Sequence, residues 1–205
     1  MRVFLTTLTC LLATASSAQA DIVYEFRDQS TTIGAGLDGQ TTGSFTQAGV
    51  TMTATVAISS GGTFNGTQDF FGINQTASDD DTDGFDFTET AGPGVAEGLT
   101  LSFDRTLNLE AIAVESFGAQ DEITITSGGS TIATITSTGS TSLGSFTLAA
   151  NTPVEILTTA GDYGNGWSLV SFTVTPEPSA ISLLAVGMLS TLVGGYRRKR
   201  SAVIA

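Results

Sequence analysis

Histidine is absent from the 205-residue chain, and cysteine occurs once, at Cys10. The first absence removes the commonest general base at neutral pH and the commonest ligand of transition metals. The second excludes disulfides and thiolate metal sites from everything that follows Cys10. Basic residues are nearly as scarce. Arg2 stands at the start, Arg197, Arg198, Lys199 and Arg200 stand near the end, and only Arg27 and Arg105 fall between them. Against those two stand nineteen acidic residues in the segment 21–175, a net charge of −17. Such a segment is a poor partner for nucleic acid, whose phosphates need clustered Lys and Arg. It suits cations, and the same charge keeps a domain soluble. Long hydrophobic runs are confined to the two ends.

Those ends have the form of address labels. Met1-Arg2 is a short positive start, residues 3–13 are mostly apolar, and Ala18-Gln19-Ala20 gives a small-x-small cleavage pattern. A signal peptide over 1–20 is expected, with Asp21 as the first mature residue. The apolar run is too short to span a bilayer. Cys10 follows Thr9, where a lipoprotein signal carries a smaller residue, so lipidation is not expected. The other end reads Pro176-Glu177-Pro178, then an apolar stretch over 180–196, then Arg197-Arg198-Lys199-Arg200. The stretch is at the lower limit for a transmembrane helix. The basic cluster is a stop-transfer signal that stays in the cytoplasm and leaves 21–175 outside the inner membrane. The two prolines end the preceding strand and extend the chain toward the membrane.

In that order, triplet, short Gly-containing apolar helix and Arg-rich end, the tail over 176–200 resembles the PEP-CTERM sorting signal of Gram-negative bacteria, also called the ice-binding protein C-terminal domain. Residues 201–205 form a short end beyond it. The resemblance implies Pro176, Glu177 and Pro178 as a sorting motif read by an exosortase-type processing enzyme, after signal peptidase and the secretion machinery have acted. It implies a protein anchored in the inner membrane in transit, then delivered to the cell surface or the extracellular polysaccharide matrix.

The segment 21–175 has the length of one domain. Short alternating runs separated by Gly, Ser, Asn and Asp predict strands over 22–27, 44–47, 50–58, 99–103, 109–115, 122–126, 131–137, 145–148, 154–158 and 167–174. Turns are expected at Gly61-Gly62, Asn65-Gly66, Gly128-Gly129 and Gly164-Asn165-Gly166, with Gly128-Gly129 closing a tight hairpin. This spacing predicts an all-β, jelly-roll-like β-sandwich with no amphipathic helix. From about residue 70 to 174, the pattern also resembles the jelly-roll ectodomains that precede such tails, a resemblance that implies no activity.

The sharpest motif is Asp79-Asp80-Asp81-Thr82-Asp83-Gly84-Phe85-Asp86. Its opening fits the alternating oxygens and turn glycine of a calcium loop. The twelfth position is Thr90 rather than an acid, so an EF-hand is excluded. Two readings stay open: a calcium site using Asp79, Asp81, Asp83 and Asp86, or a solvated acidic loop. Tyr163 and Trp167 flank a glycine-rich turn. They stack on glycan rings if exposed, or close a loop and begin a core strand if buried. Carboxylate pairs for glycan hydrolysis could be drawn from Glu89, Glu97, Asp104, Glu110, Glu115, Asp121 and Glu122, but no spacing selects two. No G-x-S-x-G elbow is present. Thr-x-Thr runs at 51–55, 124–126 and 134–136 fit the solvent side of a sheet; ordering water or ice is the rival reading. The expected function is a non-catalytic surface or matrix protein, possible cofactor calcium, possible partner exopolysaccharide. The alternatives are a carbohydrate-binding module and a carboxylate-dependent hydrolase.

Overall fold

The computed structural model describes residues 20–27, 33–57, 62–66, 71–74, 85, 87–88, 95–161 and 166–177. The chain divides into two compact units, one of Asp21–Pro176 and one of Met1–Ala20 with Glu177–Ala205. The expected signal segment before Ala20, the apolar stretch and the basic cluster at 197–200 lie outside the described residues. Among the described residues no helix is long and apolar enough to cross a membrane.

The unit Asp21–Pro176 is a sandwich of two antiparallel sheets. Its elements are β1 (Ile22–Glu25), α1 (Ile33–Leu37), β2 (Thr42–Gln47), β3 (Val50–Val56), β4 (Thr63–Gly66), β5 (Phe71–Asn74), β6 (Phe87–Thr88) and β7 (Val95–Ala96). They continue with β8 (Gly98–Phe103), β9 (Leu107–Glu115), β10 (Glu122–Ser127), β11 (Ser130–Ile135), β12 (Gly139–Leu148), β13 (Val154–Ala160) and β14 (Ser168–Pro176). The small sheet has four strands, ordered β1-β14-β9-β12, and the large sheet six, ordered β11-β10-β13-β8-β3-β2. β4 pairs with β5, and β6 with β7, as separate ribbons.

Alternation makes the strands. In β10, Ile123 and Ile125 are buried while Thr124 and Thr126 are half-exposed. In β8, Leu99, Leu101 and Phe103 turn inward and Thr100 and Ser102 outward. One hydrophobic cluster joins both sheets, with Met52, Leu101 and Ile156 from the large sheet and Leu109, Ile112 and Phe172 from the small one. Full burial of each such side chain contributes about 1.5–3 kcal/mol. Tyr24 of β1 crosses the core and donates its hydroxyl to the Val50 carbonyl of β3 at 3.0 Å. Burial, reinforced by the Asp104 charge and opposed by Arg105, pushes the Tyr24 hydroxyl up to about 12.

Where alternation breaks, bulges restore it. Ile132 and Ile135 have opposite parity, yet both meet the core. The β10–β11 register passes from Ile125↔Ala133 to Thr126↔Thr131 and so skips Ile132, which lets both isoleucines turn inward. On β14 the register skips Val170, and Leu169 and Phe172 are both buried. Strand β12 begins six residues before the expected residue 145. A bulge between Ser142 and Phe146 absorbs Gly144 and Ser145, whose φ values are 68° and 57°. Gly128 and Gly129 do close the β10–β11 hairpin, with φ values of 57° and 79°, the sign a type I′ turn requires.

Three local differences from the sequence reading stand out. Asn65-Gly66 is not a turn but the end of β4, buried and paired with Gly72 and Phe71. The Gly66 N–H donates to Asp38 Oδ1, and backbone bonds join Phe64 to Gln40 and Gly39. The short helix α1 is not among the expected elements; Ile33 and Leu37, one turn apart, are both buried. The strands β4–β7 were also unread, because each is too short to show a period.

Candidate functional site

One end of the sandwich is built from aromatics that are far apart in sequence. Phe71 of β5 lies 5.0 Å from Phe26, 5.3 Å from Phe64 and 5.9 Å from Phe85, measured between ring centroids. Phe85 stacks on Trp167 at 4.4 Å with the ring planes 21° apart. The same two residues exchange backbone hydrogen bonds, Phe85 N–H to Trp167 O at 2.7 Å and Trp167 N–H to Phe85 O at 3.2 Å. The Trp167 indole N–H donates to Thr158 Oγ1 at 2.8 Å. Beside it, buried Ser168 accepts the Phe71 N–H at 2.8 Å, which ties β5 to the start of β14.

This arrangement selects the second of the two readings of Trp167, the buried one. Trp167 has no exposed surface, so it offers no face to a sugar ring. It is large and apolar with one donor, and the core supplies both a stacking partner and an acceptor. Tyr163 lies outside the described residues, as do Asp79, Asp81, Asp83 and Asp86. Phe85, inside that acidic run, is described and fully buried, and it bridges Trp167 just before β14. Among the described residues no group of three His, Cys, Asp or Glu could hold a metal ion.

The Pro-Glu-Pro triplet begins on the sandwich itself. Pro176 is the last residue of β14, buried and opposite Leu107, and Glu177 is exposed. Pro178 and the basic residues Arg197, Arg198, Lys199 and Arg200 lie outside the described residues.

The described carboxylates are spread over several strands and turns, with Glu110 and Glu115 both on β9 and Asp121 next to Glu122. Glu110, at a bulge of β9, accepts from Ser145 Oγ at 2.5 Å, and Glu122 accepts from Thr159 Oγ1 at 2.9 Å. Glu115 forms an ion pair with Arg27. Asp121 accepts the Gly118 N–H at 2.6 Å, and Glu97 is buried between β7 and β8. Asp104 and Thr51 bind each other twice, Thr51 N–H to Asp104 Oδ1 and Asp104 N–H to Thr51 O, both at 3.0 Å. Desolvation raises the Asp104 pKa, but the Thr51 hydrogen bonds and the Arg105 guanidinium outweigh it and hold the carboxyl below its usual value. Glu89 lies outside the described residues.

The outer face of the large sheet carries a different pattern. A row of side chains crosses every strand: Thr42, Thr55, Thr100, Glu155, Thr126, Thr131. Beside it run Ser44, Thr53 and Ser102, then Thr46 and Thr51. Hydroxyls pair across β2 and β3 at 3.1 Å for Thr42–Thr55, 2.7 Å for Ser44–Thr53 and 3.0 Å for Thr46–Thr51. The Thr-x-Thr runs at 51–55 and 124–126 thus form one hydroxyl face. Sequence reading found the runs but not their alignment, because register between distant strands leaves no local trace.

Comparisons with protein-family models, curated proteins and solved structures return no match.

Proposed function

We propose that this chain is an exported, non-catalytic protein of the cell surface or extracellular polysaccharide matrix, sorted through its Pro-Glu-Pro tail by an exosortase-type enzyme. The observation that carries this reading is a coincidence of boundaries. The compact unit runs from Asp21 to Pro176, between the Ala18-Gln19-Ala20 cleavage pattern and the rest of the sorting triplet. Its winding supports a jelly roll. From β8 to β14 the chain passes large, small, large, large, small, large, small between the sheets, and β1 closes the small sheet beside β14. That leaves β2 and β3 as a hairpin added at one edge of the large sheet. The engagement of Glu110, Glu115, Asp121 and Glu122 in hydrogen bonds or an ion pair supports a non-catalytic role, and the hydroxyl face, which includes Glu155, gives a polar surface for matrix polysaccharide. Calcium in the acidic run, held by Asp79, Asp81, Asp83 and Asp86, stabilises the folded state in this reading.

The test replaces Pro176, Glu177 and Pro178 together by alanine. Surface delivery is lost and the chain accumulates in the inner membrane with its tail attached. Undiminished surface delivery of that variant overturns the proposal.

A further inference from the structure

We infer that the β2 edge of the large sheet is a pairing site for a second copy of this chain, joined strand to strand about Ser44. The inference goes beyond the sorting reading and stands independently of it. Natural sheets protect their edges with charge, proline, bulges or shortness. The small sheet does so at both edges. β1 has four residues, one of them Glu25, and β12 is broken by its bulge. On the large sheet, β11 is bulged at Ile132. β2 has none of these devices. It is six residues long, TGSFTQ, with an unbroken register to β3 from Thr42↔Thr55 to Gln47↔Val50. It lies within a charge-free stretch from Gly39 to Gln68 in a segment of net charge −17. Among the described residues no strand pairs on its other side.

The hairpin fixes which backbone groups are free. Ala48 and Gly49 have φ values of 47° and 75°, a two-residue turn of the primed type, so Gln47 and Val50 form a hydrogen-bonded pair. Bonded and non-bonded pairs alternate from there, which makes Thr46, Ser44 and Thr42 the non-bonded positions toward β3. Two contacts agree with this assignment. Val56 N–H donates to Thr41 O, and Thr51 uses its N–H and carbonyl on Asp104 rather than on Thr46. The N–H and carbonyl groups of Thr42, Ser44 and Thr46 therefore face outward from the sheet. An antiparallel second copy centred on Ser44 sets Ser44 against Ser44 and Thr42 against Thr46. Every one of those outward groups then finds a partner, and the hydroxyl ladder already present between β2 and β3 continues across the junction. The inner face of β2 is backed by α1, with Phe45 against Gly36 and Leu37 beside Gly43, so the edge is held in place for pairing.

Other surfaces offer less. Val23 is the one exposed large hydrophobic among the described residues, so no described apolar patch competes as a contact. The experiment uses the full chain in detergent. In a Cys10→Ser background, Ser44→Cys gives a disulfide-linked dimer under mild oxidation, and Thr131→Cys on the β11 edge does not. Ser44→Lys sets two like charges face to face and weakens dimerisation about tenfold or more in sedimentation equilibrium, with unchanged circular dichroism. A chain without these substitutions that stays monomeric at all concentrations overturns the inference. So does Ser44→Lys that dimerises undiminished, or cross-linking through Thr131→Cys in place of Ser44→Cys.

Discussion

Trp167 joins the two sheets through one side chain. Its ring stacks on Phe85 and its indole N–H reaches Thr158 of β13. Trp167→Ala removes both and leaves a cavity, at a cost of about 3–5 kcal/mol in urea unfolding. Trp167→Phe keeps much of the apolar volume, leaves Thr158 without its donor and costs about 1–2 kcal/mol. Tyr24 gives a pH signature. Its folded pKa of about 12 lies above its ordinary 10.0, so the folded state holds this proton more tightly. The stability it contributes is complete below pH 10.0 and is lost as pH rises toward about 12. An alkaline titration followed by circular dichroism shows that loss, and Tyr24→Phe removes this part of it. Asp104 has the opposite sign. Its folded pKa is below its ordinary 3.8, so its contribution is complete above that value and fades as pH falls through the lower, folded one. The increment is small, since its side chain is 43% exposed and solvent screens the charge.

At the scale of elements, the two glycines of the β10–β11 turn resist change because both have positive φ. Gly129→Ala forces a side chain into left-handed backbone and lowers stability by about 1–2 kcal/mol, read as a drop in melting temperature. This turn was legible in the sequence because Gly128-Gly129 sits between two runs of alternating isoleucine and threonine. Each of the ten expected strands is present, most with shifted ends, because inward residues such as Leu99, Leu101 and Phe103 alternate plainly. What escaped depends on distant partners. Asn65-Gly66 has turn chemistry, yet the Asp38 carboxylate and the Phe71 backbone draw it into β4. Trp167 has the same composition around it whether exposed or buried, and only the arrival of Phe85 from far upstream decides the matter. The bulge at Ser142–Phe146 conceals half of β12 behind serine and glycine. None of the acidic calcium candidates is described, so that part of the site rests on the motif alone.

At the scale of the whole molecule, a segment of net charge −17 folds around an apolar cluster, and its hydroxyl face carries Glu155 among the hydroxyls. The self-repulsion of so many acids weakens the folded state, and the calcium proposed for the acidic run would offset it. Millimolar calcium therefore raises the melting temperature. Asp81→Asn combined with Asp83→Asn abolishes the rise, and an equal rise in that variant refutes calcium binding at the acidic run. The central claim concerns what the cell does with the two ends. Intact-mass analysis of the protein recovered from the cell exterior tests it most directly. The account predicts a chain that begins at Asp21 and has lost the basic cluster at 197–200. A cytosolic chain retaining both Met1 and Ala205 would contradict it.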